Sequence, residues 1–212
     1  MGNRENTECE SRTIERADHS PKVAHLVNTA GLLFAKYGFH AIGIDRIISE
    51  SGIAKMTMYR NFPKKNDLIL SVLIHRRAII RKELMHTIAN KNTPSERISA
   101  IFEWFRNCVC GTDFYGCIFT RAASEFLLED DGIVDVARKH KEDIINTIHC
   151  ALVDAPSQEY LAERVAMLID GAIISETLYR GSGALRNAEE LALSLLHDLD
   201  HQEIKLRSRR KG

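Results

Sequence analysis

Residues 44–68 read IDRIISESGIAKMTMYRNFPKKNDL, and the spacing of their apolar side chains decides how the rest of the chain is read. Ile44, Ile47 and Ile48 fall on one face of a helix, and Ser51-Gly52 breaks it. A second short helix over 55–61 is expected to carry Met58, Tyr59 and Phe62 inward. Pro63 ends it, because the residue before a proline is pushed out of the α region and the ring cannot continue the ladder. Two short helices joined by a tight turn with a glycine form a helix-turn-helix. In that motif the second helix enters the DNA major groove leading with its N-terminal residues, here Lys55, Met56, Thr57 and Arg60.

The charge pattern agrees with such a role once it is divided along the chain. The 212 residues carry 29 basic and 29 acidic side chains, a net charge of zero. Residues 20–82 hold eleven basic against three acidic groups, whereas residues 83–200 hold ten against twenty. A basic module on an acidic body favours local phosphate binding without general stickiness.

Working outward, residues 1–19 mix charge with small polar groups, show no apolar period and are expected to be disordered. Val23, Leu26, Val27, Ala30, Leu33, Phe34 and Tyr37 give an amphipathic helix stopped at Gly38, which should close a three-helix core with Ile47, Ile53, Met58 and Phe62. A long helix is expected over 65–89, with Lys65 at an N-terminus that attracts phosphate. Thr93-Pro94-Ser95-Glu96 is a capping box that starts another helix. Further helices are expected over 117–128, over about twenty residues ending near Asp154, and over 161–179. A last one is capped by Asn187, with Glu190 three residues on, before a basic tail at 201–212. No strand alternation, repeat or glycine-rich phosphate loop appears. The expected fold is all-α with about nine helices: a tail at 1–19, a DNA-binding domain at 20–66 and a second helical domain at 67–200.

The run from 23 to 70 resembles the DNA-binding domain of the TetR family of transcription regulators. Ala30, Leu33, Phe34, Tyr37-Gly38-Phe39, Ile47, Gly52-Ile53, Lys55, Thr57, Tyr59, Phe62-Pro63, Lys65 and Leu68 are in register with it. It departs from the family where Gly43 and Ala54 replace the usual Ser or Thr caps, and where Ile48 and Ser51 replace Ala. Ala is a poor cap, so the recognition helix should start less firmly. Residues 116–126, GCIFTRAASEF, resemble one branch of the same family.

The resemblance implies a homodimer that binds a double-stranded DNA operator and is released by a small-molecule effector. It places Lys55, Met56, Thr57 and Arg60 near the groove and Tyr59 and Lys65 on phosphates, with Ile44 counted among the DNA-binding set. An effector pocket is implied between residues 84 and 155, and Trp104, Phe105, Cys108, Phe114, Tyr115, Phe119 and Phe126 are candidates to line it. Such a pocket, and so its effector, would be partly apolar. An aromatic set at helical spacing is otherwise plain core. The last two helices are the implied dimer seam, with Val165, Leu168, Ile169, Ala172, Ile173 and Leu195 as candidates. The alternative is that 161–179 is simply central in the monomer.

Five cysteines, an odd number, at irregular spacing and without a secretory signal point to reduced thiols in a cytoplasmic protein. No apolar run is long enough for a membrane span. Cys108, Cys110 and Cys117 lack metal-ligand spacing, and His197 with His201 would be a lone pair, so no metal or cofactor is expected. No catalytic constellation is present. An architectural DNA binder of the same fold, without an effector, is the competing interpretation.

Overall fold

The computed structural model describes residues 21–153, 155 and 158–209, so the expected disorder of residues 1–19 lies outside the described residues. Among those described there are nine α-helices and no strand. They are α1 (Pro21–Tyr37), α2 (Ile44–Ser51), α3 (Lys55–Asn61), α4 (Lys65–Ala89), α5 (Pro94–Cys110), α6 (Ile118–Phe126), α7 (Asp131–Ala151), α8 (Gln158–Leu178) and α9 (Ala184–Arg209). None is long and apolar enough to cross a membrane among the described residues.

The chain divides into two compact units. The first holds residues up to 80 together with 117–140, and the second holds 81–116 with the chain from 141 onward. The expected boundary at residue 66/67 therefore falls inside the first unit. Leu68, Ile69, Val72 and Leu73 of α4 are buried in the same core as α1, so the helix after Pro63 belongs with the helices before it.

In the first unit, α1 buries Val23, Leu26, Val27, Ala30, Leu33 and Phe34 along one stripe. Phe34 and Phe39 stand with ring centroids 5.0 Å apart, and Ile47, Met58 and Phe62 close the core from α2 and α3. Tyr37 does not join it: its ring is partly exposed and carries the Arg46 guanidinium 4.2 Å from its centroid. Tyr59 likewise points outward rather than inward. The turn between α2 and α3 depends on Gly52, whose φ of 64° lies in the left-handed region that residues with a Cβ rarely adopt.

In the second unit α5, α8 and α9 pack on one another. The α5 capping box forms as expected: the Thr93 hydroxyl accepts from Glu96 N at 3.2 Å, and Glu96 Oε2 accepts from Thr93 N at 3.0 Å and Asn92 N at 2.9 Å. Those backbone bonds, Thr93 first, lower the Glu96 pKa. α9 differs from expectation at both ends. It begins at Ala184, which leaves Asn187 inside the first turn, because the cap comes from another helix. Glu176 of α8 accepts from Gly181 N at 3.0 Å and Ala184 N at 2.9 Å. The helix also continues to Arg209, through most of the expected tail, since residues 201–209 contain neither Gly nor Pro and are rich in helix-favouring Gln, Glu, Leu, Lys and Arg.

Candidate nucleic-acid interface

α3 has two faces that behave differently. Met58 is fully buried and anchors the helix, while Lys55, Met56, Tyr59 and Arg60 are exposed and Thr57 is half-buried. Met56 is 81% exposed, too much for an apolar side chain whose role is packing within this unit. Ile44, in the first turn of α2, is half-buried and packs against the core of the unit.

The start of α3 is as loosely capped as its sequence suggests. Ala54 occupies the N-cap with extended backbone angles and gives no side-chain cap, and Gly43 is in the same position before α2. Lys55 Nζ donates instead to Asp45 Oδ1 of α2 at 3.1 Å, an ion pair across the helix-turn-helix. This bond, reinforced by the carboxylate's charge, raises the Lys55 pKa.

Lys65 sits in the first turn of α4. Partial burial lowers its pKa, opposed by the nearby charge of Glu125. Asp67 accepts from Lys64 N at 2.8 Å and so takes one of the free amides at that helix end.

The helix-turn-helix unit is steadied by residues far away in sequence. Glu125 of α6 accepts from Phe39 N at 3.0 and 3.2 Å and from His40 N at 2.9 Å. One turn earlier on α6, Arg121 Nη1 donates to the Ala35 carbonyl at 2.7 Å. A guanidinium thus meets the carbonyl end of α1, and a carboxylate meets the amides that follow it. Asn66 Nδ2 donates to Asp130 Oδ2 at 2.7 Å, and Asp130 Oδ1 accepts from Gly132 N and Ile133 N at the start of α7.

The expected effector-pocket residues divide between the two units. Phe119 and Phe126 are buried in the core of the first unit, where Phe126 meets Phe39 edge-on at 5.7 Å and Phe119 stacks on His140 at 3.7 Å. They are core residues because α6 joins the core that also holds α1 to α4. Trp104, Phe105, Cys108, Phe114 and Tyr115 belong to the second unit. Phe105 is buried, and Trp104, edge-on to it at 5.0 Å, donates its indole N–H to Glu83 Oε2 at 3.2 Å. A cleft of 450 Å³ in this unit is lined by Arg106, Val109, Cys110, Glu176, Arg180 and Leu185 among others, and none of the expected residues lines it. Arg106 pairs with Glu189, and Arg180 donates to the Phe114 carbonyl.

Of the expected dimer residues, Val165, Ile169 and Ala172 are buried in the chain's own core, while Leu168, Ile173 and Leu195 are half-buried. The outward apolar face of α8 is instead Met167, Ile174 and Leu178, with Leu191 on α9. Periodicity over 161–179 signalled two apolar faces without telling which one the monomer uses. Cys108, Cys110, Cys117 and Cys150 form no disulfide, and no metal-binding group occurs among the described residues. His197 is exposed, and the side chain of His201 lies outside the described residues.

Residues 26–72, which span α2, α3 and most of α1, match the family described as bacterial regulatory proteins, tetR family. An uncharacterized HTH-type transcriptional regulator, YxaF of Bacillus subtilis (strain 168), is 31% identical over 84 residues, 39% of this chain and 42% of that protein. The HTH-type transcriptional activator FasR of Mycolicibacterium smegmatis is 26% identical over 103 residues, 46% of each chain. The chain thus spans less than half the length of these curated relatives. The crystal structure of SCO4454, a TetR-family transcriptional regulator from Streptomyces coelicolor, superposes with a TM-score of 0.78 at 24% identity, covering 84% of this chain and 95% of that one. That likeness is one of fold. The helix-turn-helix segment, residues 26–72, thus matches the tetR family of bacterial regulatory proteins in sequence, and the chain shares the all-α fold of a TetR-family regulator.

Proposed function

We propose that the chain is a homodimeric transcription regulator that grips a palindromic operator through α3 and lets go when a small molecule binds its second unit. The observation that carries this reading is the outward set Lys55, Met56, Tyr59 and Arg60 on a helix anchored by buried Met58. Thr57 and Met56 can meet a thymine methyl, Lys55 can donate to guanine acceptors, and Tyr59 and Lys65 can bond phosphates. Two copies are needed because one short helix reads only a half-site, and half-sites one duplex turn apart, about 34–36 Å, match a two-fold protein. The exposed Met167, Ile174, Leu178 and Leu191 supply an apolar face for that pairing. Effector binding would shift the population toward a spacing of the two recognition helices that no longer fits, for a coupling of about 1–3 kcal/mol. The sign of regulation proposed is repression, although FasR, among the relatives, is an activator.

The competing interpretation, an architectural DNA binder without an effector, draws support from Phe105, Phe119 and Phe126 being buried as core rather than lining a cavity. Selection of duplexes from a random pool separates these. A palindromic consensus whose complex dissociates with some member of a small-molecule panel supports the regulator. Binding without sequence preference supports the architectural protein, and no binding to any duplex overturns both.

A further inference from the structure

Asp45 stands in the first turn of α2 with its carboxylate 86% exposed, beside the helix that presents Lys55. A carboxylate on a surface meant for phosphate is unfavourable unless it improves selectivity. We infer that Asp45 is a specificity-determining residue of the reading head, holding the Lys55 ammonium so that it discriminates between a neutral base-edge acceptor and an anionic phosphate. This rests on the DNA-binding reading above.

The chemistry follows from the ammonium having three donors and one charge. One N–H is directed to Asp45 Oδ1 at 3.1 Å, and two remain. A phosphate approaching Lys55 meets a nearly neutral pair, because the Asp45 charge offsets the ammonium's, so the lysine releases little counterion and adds little to sequence-independent binding. A guanine O6 or N7 carries no net charge, so the carboxylate does not repel it as an ion. It can accept one of the two remaining protons while Asp45 keeps the third and fixes the direction of the other two. The same ion pair therefore weakens contacts that carry no sequence information and orients the donor for one that does.

The test measures Asp45→Asn, Lys55→Ala and the double variant on the selected operator and on an unrelated duplex of equal length, over a series of salt concentrations. Circular dichroism checks that each variant is folded. Asn keeps an acceptor for the lysine and removes the charge. With the charge gone, Asp45→Asn should tighten the unrelated duplex about three-fold per protomer, about ten-fold for a two-fold complex, and steepen its salt slope by about one per protomer. Operator affinity should change less, so the specificity ratio falls. In the Lys55→Ala background the same substitution should have under about one-third of its logarithmic effect. Equal tightening on both duplexes, or an effect undiminished without Lys55, would overturn the inference while leaving DNA binding intact. Failure of the unmodified protein to bind any duplex would overturn the DNA-binding reading and this inference with it.

Discussion

Glu125 and Phe39 are 86 residues apart in sequence, yet the Glu125 carboxylate accepts the Phe39 backbone N–H with both oxygens, at 3.0 and 3.2 Å. That contact ties the loop after α1 to α6, and Gly38, with φ of 90°, brings the backbone so close that a Cβ there would lie 3.0 Å from Glu125 Oε1. The unit that holds the helix-turn-helix therefore depends on a helix that begins at Ile118, well beyond that motif.

Glu125→Ala should accordingly weaken the first unit. It removes a charged acceptor from the amides of Phe39 and His40, and charge-assisted bonds of this kind contribute roughly 1.5–3 kcal/mol. Urea denaturation followed by circular dichroism should show an earlier transition, together with weaker duplex binding. An unchanged midpoint would mean that water replaces the carboxylate at no cost.

Ala54→Ser should act in the opposite direction. The residue already has extended angles, φ −60° and ψ 137°, and lacks only a side-chain acceptor for the α3 amides. A serine cap typically contributes about 0.5–2 kcal/mol, so the midpoint should rise, and duplex affinity should rise if ordering of α3 limits it. A lower midpoint would show that the hydroxyl does not reach those amides.

The Glu176 carboxylate gives a pH dependence of definite sign. Burial alone would raise its pKa, but bonds from the Ser182 hydroxyl and from the amides of Gly181, Ala184 and Ser182 outweigh it, so the pKa falls below the ordinary 4.5. A carboxyl with a lowered folded-state pKa stabilises fully above its ordinary value and loses that contribution as pH drops through the folded value. Glu176→Gln should therefore be less stable than the parent near neutral pH, and the gap should narrow progressively below about 4.5. Paired thermal melts across that range measure it, and a gap that widens in acid would reverse the assignment.

Ile174→Glu addresses the pairing surface. The side chain is 55% exposed on the same face as Met167 and Leu178, so the substitution should leave the monomer folded. Light scattering at micromolar concentration should show the parent as a dimer and the variant as a monomer, with operator affinity reduced by at least about ten-fold through loss of the second half-site. A parent that is itself monomeric would remove the dimer from the proposal.

Lys65→Ala should weaken every duplex alike and flatten the salt slope by about one per protomer. Its half-buried position beside Glu125 makes this a demanding case, because the lysine must reach a phosphate while partly held by the protein. A slope unchanged over several salt concentrations would restrict Lys65 to a structural role.

Local features of the helix-turn-helix were legible in the sequence. The period of Ile47, Met58 and Phe62, the break at Gly52, the stop at Pro63 and the missing cap at Ala54 each depend on residues within one or two turns. Less legible was anything that depends on which elements meet. Phe119 and Phe126 read as apolar residues on a helix, and nothing in their spacing says that they join the core around the helix-turn-helix. Glu125 and Glu176 look like ordinary surface acids, since the amides they satisfy lie across a loop or on another part of the chain. Tyr37 and Tyr59 fit the inward pattern by spacing but face outward, as a phenol with a polar tip tolerates either side.

Trp104 is the only tryptophan in the sequence, and its ring is held between the Glu83 carboxylate and the edge of Phe105, all three in the second unit. The chain therefore carries an intrinsic optical label for one unit alone. Indole emission will register melting or ligand occupancy there and stay silent when only the first unit unfolds, so comparing it with helical ellipticity separates the two events without any added dye.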